Sequence, residues 1–182
     1  GFDRDITKEE YKNAINDGKL CDLLRKVKVK KGDVFFIPAK TVHAIRAGML
    51  ICEIQQNSNT TYRVFDYNRR DKDGNLRPLH IEKALDVSSL KRTPDPIPLE
   101  KGDDILLADC EYFSVRKLTV NTEMVFISDN DSFSSLLITE GSGKIMYNGG
   151  ELSFSKGDSI FIPAQNPNQE VTKLTINMSA EY

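Results

Sequence analysis

His43 is the side chain in this sequence best suited to binding a metal ion. An imidazole coordinates a metal through its unprotonated nitrogen, and a catalytic zinc site takes about three protein ligands plus an open position. The only other histidine is His80, which we assign a structural place at a predicted helix start. A lone histidine is more often structural than a ligand, so the context of His43 has to support the metal-binding interpretation.

Glu53 and Arg63 form a second candidate pair, ten residues apart on two consecutive predicted strands. A carboxylate in an apolar strand alternates toward one face, and if that face is interior it needs a partner. Arg63 is a candidate for that partner, since a guanidinium is permanently charged and binds oxyanions through paired hydrogen bonds. The competing interpretation is an ion pair between Arg63 and Asp66 at the surface.

An internal repeat supplies the element that positions His43. Residues 31–39 read KGDVFFIPA and residues 156–164 read KGDSIFIPA, seven identities in nine positions at an offset of 125 (156 minus 31). Gly-Asp forms a tight turn, the apolar residues form a strand, and proline ends it. His43 lies four residues after the first copy, whereas the matching position in the second copy is Asn168, a poor transition-metal ligand. The repeat predicts two jelly-roll or sandwich units, of which only the first keeps a metal-binding residue.

The segments in front of the two copies differ. Strand-like segments separated by glycine turns precede the second copy at 112–120, 135–139, 143–147 and 151–154. In front of the first copy, residues 7–26 instead predict a helix, with Thr7 as its cap and Glu10 three residues later. We therefore expect the first unit to lack its opening strands, as in a chain that is part of a longer protein.

The rest of the chain completes a mainly β prediction. Residues 49–55 and 61–67 are typical of strands, 79–90 of a short helix, and the proline-rich 93–98 of a linker. The expected fold is a pair of cupin-type jelly-roll barrels, one partial and one nearly complete, with short helices at the start and between the units. The predicted organisation is a partial first barrel with a helical segment at 1–92, a linker at 93–99, and a second, degenerate barrel at 100–182.

A family resemblance rests on distinctive residues of the first unit. The run GDVFFIPAKTVHAI at 32–45, followed by LICEIQQNSNTTYRVFDYNRRDKDGNLRPLHIEKAL at 50–85, resembles type I mannose-6-phosphate isomerases, in particular their short bacterial form. The stretch IQQNSNTTYRVFDYNR is more specific than the general cupin signature. The resemblance extends more loosely through the second unit to the end of the chain.

The resemblance implies a zinc enzyme that interconverts mannose 6-phosphate and fructose 6-phosphate through an enediolate. In that family, upstream Gln, His and Glu residues and one later His hold a single zinc. Only the later His has a counterpart here, and it is His43. Arg63 matches an arginine near the sugar and Glu53 a carboxylate lining the site, which suggests proton handling or orientation for Glu53. Since the upstream ligands are absent from this sequence, we expect these 182 residues alone to be nearly inactive and to hold zinc weakly.

Two alternatives stay open at this point: a non-catalytic cupin module that binds a sugar or forms an interface, and an iron-dependent cupin dioxygenase. The dioxygenase would normally need a complete histidine-rich motif.

Composition restricts the partners. A net charge of −2 gives no electrostatic reason to bind nucleic acid or an anionic membrane, and no apolar run reaches the roughly 20 residues that span a bilayer. Three cysteines without CxxC spacing suit a reducing compartment, so we predict a cytoplasmic location. The resemblance implies a small sugar phosphate as partner and leaves the oligomeric state open.

Overall fold

The chain folds into two compact units. A computed structural model describes residues 1–96, 99–127, 131–164 and 173–178. The first unit comprises Gly1–Glu100 with Leu106–Val115, and the second comprises Lys101–Ile105 with Arg116–Tyr182. None of the helices within the described ranges is long and apolar enough to cross a bilayer. The linker at 93–99 stays a prediction, because residues 97–98 lie outside the described part.

The first unit opens with two helices, α1 (Lys8–Asn16) and α2 (Leu20–Leu23). Thr7 caps α1, its Oγ1 accepting a hydrogen bond from the Glu10 N–H at 3.1 Å, so one of the free amides of the first turn is satisfied. The Glu10 carboxylate pairs with Arg4. The predicted helical start is therefore confirmed, with its N-cap at Thr7. The single helix predicted over 7–26 is instead divided into α1 and α2, and the helical structure ends at Leu23.

The core of the first unit forms around α1 and a third helix, α3 (Ile81–Val87). The Phe2 and Tyr11 rings meet edge to face, with 5.2 Å between their centroids, a geometry that aromatic pairs favour. The helix predicted between the units is thus confirmed, although it is shorter than 79–90 at both ends. The buried members of this core are Phe2, Ile6, Tyr11, Ile15, Leu20 and Leu85.

The strands predicted at 34–37, 49–55 and 61–67 are wrong: residues 25–69 form no hydrogen-bonded ladder. A strand needs a neighbour with which its backbone groups pair repeatedly. This segment instead receives isolated backbone hydrogen bonds, such as those from Ser89 N–H to the Lys40 carbonyl at 2.8 Å and from His80 N–H to the Arg63 carbonyl at 2.7 Å. As a result Phe35, Phe36 and Ile37 leave 42%, 50% and 44% of their surface exposed.

The strands of the second half confirm a mainly β fold with few short helices. The strands are β1 (Asp104–Asp109), β2 (Ser114–Leu118), β3 (Glu123–Ile127), β4 (Ser134–Leu137), β5 (Ser142–Tyr147), β6 (Gly150–Ser155), β7 (Ser159–Ile162) and β8 (Lys173–Met178). They form an antiparallel sheet in the order β3-β8-β5-β6 and two-stranded sheets of β1 with β2 and β4 with β7. In the described ranges these sheets stay separate and do not close into a barrel.

Both repeat copies build the turn that their Gly-Asp pair predicts. Lys30 N–H donates to the Asp33 carboxylate at 2.9 Å, and Ser155 N–H donates to the Asp158 carboxylate at 2.7 Å. These two pairs are related by the same offset of 125 positions (155 minus 30). The turn is local and forms in either copy, whereas only the second copy continues into a paired strand, β7.

The core of the second unit consists of the buried strand residues Ile145, Phe154, Ile162 and Ile176. Residues Tyr147 and Gly150 pair at the end of the β5–β6 hairpin, which leaves Asn-Gly as its two-residue loop. Gly149 has a φ of 119°, a conformation that glycine adopts without a steric cost.

Candidate functional site

Asp66 is a buried carboxylate, 7% exposed, at which three arginines meet. Arg77 binds it in a bidentate manner: Nε donates to Oδ2 at 2.7 Å and Nη2 makes a close bond to Oδ1. Arg69 Nη2 donates to the same Oδ1 at 3.1 Å, and Arg63 Nε lies 3.9 Å from it. A buried charge needs such partners, and planar guanidinium groups suit a carboxylate.

The charges of this group do not cancel. The hydrogen bond from Arg77 is the main cause that lowers the pKa of Asp66 below its usual value; burial opposes it, and the charges of Arg77, Arg69 and Arg63 add to it. The same bond raises the pKa of Arg77. One carboxylate therefore faces three guanidiniums at neutral pH, which leaves a surplus of two positive charges (three minus one).

Arg63 is held from both its backbone and its side chain. His80 N–H donates to the Arg63 carbonyl at 2.7 Å, and Arg63 N–H donates to His80 Nδ1 at 3.1 Å. Arg63 Nη1 also donates to the Pro78 carbonyl at 3.2 Å. His80 is the N-cap residue of α3, so its predicted structural place is confirmed. The Arg63 side chain stays 24% exposed, and no hydrogen bond among the described residues uses its Nη2, whose donors can serve an anion.

His43 presents one ring nitrogen for coordination. Its Nδ1 lies 2.8 Å from the Thr41 carbonyl oxygen, and because a carbonyl only accepts, Nδ1 carries the proton and Nε2 keeps its lone pair. Metal-binding histidines are commonly oriented in this way. No group of three His, Cys, Asp or Glu residues that could hold a metal occurs within the described ranges. His43 therefore fits as a single ligand, and these residues do not make a zinc site by themselves.

Glu53 is exposed and lies outside any strand. Across the part of the chain that the structure describes, no hydrogen bond or ion pair joins it to Arg63, whose carboxylate partner is Asp66. The candidate Glu53–Arg63 pair does not form within the described residues, whereas the competing Arg63–Asp66 pair does, with a buried carboxylate. The roles of Glu53, Arg63 and His43 stay predictions, and Asn168 lies outside the described residues.

Sequence reasoning missed Asp66 as the organising residue and Arg77 as its main partner. The available signal was Arg63, three positions before Asp66, together with an arginine eleven positions after it. Whether an arginine eleven positions away meets Asp66 depends on the path of the intervening loop, so only the structure reveals this contact.

Comparison with known proteins gives one consistent result. Residues 103–176 match the cupin domain of mannose-6-phosphate isomerase. The chain is 40% identical over 162 residues to mannose-6-phosphate isomerase ManA of Bacillus subtilis and 34% identical over 161 residues to the mannose-6-phosphate isomerase of Streptococcus mutans. Each alignment covers 86% of this chain and 51% of the relative, so the chain spans about half the length of these proteins.

A solved structure agrees. The crystal structure of the mannose 6-phosphate isomerase from Bacillus subtilis superimposes with a TM-score of 0.76 at 28% identity. The match covers 97% of this chain and 56% of the other. The cupin fold class and the resemblance noted for residues 32–85 are thereby confirmed.

Proposed function

This chain is related in sequence and fold to the mannose-6-phosphate isomerases, and on that basis we propose that it contributes to the interconversion of mannose 6-phosphate and fructose 6-phosphate. The observation that carries the proposal is the fixed position of Arg63. The Asp66 carboxylate, the Pro78 carbonyl and the His80 backbone hold it, and none of the hydrogen bonds in the described part of the chain uses Nη2.

The chemistry of an aldose–ketose isomerisation explains why such an arginine is useful. A proton moves between C1 and C2, and negative charge develops on an oxygen in the transition state. A fixed cation stabilises that charge more effectively than mobile water does. We assign this role to Arg63 and assign proton handling or substrate orientation to Glu53, a carboxylate on the same stretch of chain.

We propose zinc as the metal, with His43 Nε2 as one ligand. A reaction that moves protons and no electrons needs no redox metal. Since the described residues offer one ligand where about three are needed, the remaining ligands must come from elsewhere. These 182 residues alone should therefore bind zinc weakly and turn over little substrate.

The assignment of His43 is tested in a longer protein that carries these residues together with a complete ligand set. His43→Ala should lower zinc content and isomerase activity together, whereas Asn168→Ala, at the matching repeat position, should change neither. Metal analysis and a coupled assay on the same preparations give both values. If His43→Ala left both unchanged, the metal assignment would be wrong.

The second candidate is a non-catalytic cupin module that binds a sugar or forms an interface. The exposure of His43 and Glu53 and their separation from Arg63 in the hydrogen-bond network favour this candidate for the isolated chain. Saturable binding of mannose 6-phosphate, unaffected by zinc and without turnover in a protein that also carries the remaining metal ligands, would support it over the isomerase.

A further inference from the structure

The loop between β5 and β6 consists of two exposed residues, Asn148 and Gly149, beyond the last pair of the ladder, Tyr147 with Gly150. Asn148 is the one asparagine of the sequence that is followed by glycine. The backbone nitrogen of the next residue can attack an asparagine side-chain amide, and a glycine there puts no side chain in the way. The loop therefore places a labile amide beside an unhindered nucleophile.

The Gly149 nitrogen lacks the hydrogen bond that occupies comparable nitrogens elsewhere in the chain. Two other glycines, Gly18 and Gly74, follow an aspartate whose carboxyl group is open to the same attack. Gly18 N–H donates to the Ile15 carbonyl at 3.1 Å, and Gly74 N–H donates to the Asp71 carbonyl at 3.1 Å. Among the described residues no acceptor is bonded to Gly149 N–H. An N–H that already donates must first lose its bond, so Gly149 has the most available nitrogen of the three.

The backbone of this loop is not the one that a two-residue hairpin favours most. Gly149 has a φ of 119°, whereas Asn148 stays outside the left-handed region. A type I′ turn requires positive φ at both central residues, and its twist matches that of the flanking strands. A loop in which only the second residue has positive φ matches that twist less well. Less favourable turn geometry is therefore lost when the Asn148 side chain moves over the Gly149 nitrogen.

We propose that Asn148 is a site of spontaneous deamidation. The Gly149 nitrogen gives up its proton and forms a bond to Asn148 Cγ, the Cγ–Nδ2 bond breaks, and ammonia leaves with that proton. Water then opens the resulting cyclic imide. Attack at Cγ gives aspartate with the original backbone, and attack at the backbone carbonyl carbon gives isoaspartate, in which the chain runs through Cγ. No oxidant or reductant takes part.

The two products should affect the hairpin differently. Both carry a carboxylate in place of a neutral amide, so the net charge of the chain changes from −2 to −3 (−2 minus 1). Isoaspartate also lengthens the backbone of the loop, which cannot take up the extra carbon while Tyr147 and Gly150 stay paired. The pair of Ile145 with Leu152 lies farther from the loop, and Ile145 is buried, so this pair should persist.

Incubation of the full 182-residue chain at mildly alkaline pH tests the proposal. We expect release of ammonia, an ion-exchange species with one more negative charge, and isoaspartate that an isoaspartyl methyltransferase can methylate. Cleavage after lysine isolates residues 145–156, in which Asn148 is the sole asparagine, so the mass change can be assigned to this residue. The rate should rise with pH, because the nitrogen attacks in its deprotonated form.

Two variants of Asn148 provide the controls. Asn148→Gln keeps a neutral amide but must close a larger ring, so the mass change in residues 145–156 should be lost. Freshly purified Asn148→Asp supplies the charge without the altered backbone, and its amide exchange at Tyr147 and Gly150 should equal that of the parent chain. The isoaspartate form should exchange faster at these two residues and unchanged at Ile145.

Three results would overturn the proposal. The first is an unchanged peptide 145–156 after prolonged incubation of the folded chain. The second is equally fast modification of other asparagines, and the third is isoaspartate that accumulates at residues 17 and 73 as fast as at 148. The second and third would show that the available Gly149 nitrogen does not select the site. None of these measurements depends on zinc or on isomerase turnover, so their outcome leaves the proposed function untouched.

Discussion

Ile37 and Ile162 occupy the same position of the internal repeat, yet their surroundings differ. Ile162 is 6% exposed in the core of the second unit, where it packs with Ile145, Phe154 and Ile176. Ile37 is 44% exposed in a segment without strand pairing. Truncating each side chain to alanine therefore tests whether the repeat motif or its packing determines stability.

The expected losses of stability in the two variants follow from how much of each isoleucine side chain is buried. Ile162→Ala removes buried carbons and leaves a cavity, which should lower the free energy of unfolding of its unit by about 2–5 kcal/mol. Ile37 buries only about half of its surface, so Ile37→Ala should lose at most about half of the roughly 1.5–3 kcal/mol that full burial gives, and no enclosed cavity forms. The expected cost is about 1.5 kcal/mol or less.

Native-state amide hydrogen exchange is the suitable assay, since the chain has two units and global unfolding need not be a single transition. Amides of β5 and β6 report on the second unit, and amides of α1 report on the first. Ile162→Ala should speed exchange in β5 and β6, and Ile37→Ala should leave α1 almost unchanged. An equal, large loss of protection from Ile37→Ala would show that the first repeat copy is packed, contrary to its observed exposure.

Two further predictions concern the first unit. Thr7→Ala should lower the free energy of unfolding of this unit by about 1 kcal/mol, because the Glu10 amide loses its cap. Thr7→Ser keeps a hydroxyl and should be nearly neutral in urea unfolding. An equal loss from both variants would contradict the capping role. The lowered pKa of Asp66 should make the unit more stable above the usual carboxyl range and less stable as the pH falls below about 4 through the folded-state pKa. Asp66→Asn should remove that component of the pH dependence, and a stability profile identical to that of the parent chain would refute it.

What the sequence could predict was mainly local. The helix α1 follows from the cap at Thr7 and the four-residue spacing of Tyr11 and Ile15, and all its information lies within ten residues. The β5–β6 hairpin likewise follows from its Asn-Gly loop and flanking strand pattern. Such elements need little from the rest of the chain.

Most of the failures depended on distant partners. The apolar run at 34–37 has the composition of a strand, but strand formation requires a neighbouring ladder that the described residues do not provide. The strands β1, β3 and β8 were missed, and β8 acquires its place only by pairing with both β3 and β5.

At the candidate site, too, the sequence predicted what local motifs determine and missed what depends on contacts between distant residues. His43 and Arg63 were selected by motif, and the structure supplies reasons to keep them: a free Nε2 in one and a fixed guanidinium in the other. The convergence of Arg69 and Arg77 on Asp66 was not predicted, since it depends on the left-handed turn after Asp66 and on the loop that returns Arg77. Motif recognition found candidates, and loop geometry determined which of them meet.

The most direct measurement of the central claim combines zinc content with isomerase turnover for the 182-residue chain, purified alone and assayed with excess zinc and mannose 6-phosphate. Because His43 is a single ligand, we predict zinc far below one ion per chain after dialysis and no turnover above that of the His43→Ala variant. One tightly held zinc per chain with full zinc-dependent turnover, lost in His43→Ala, would contradict the claim that the metal site needs ligands from elsewhere.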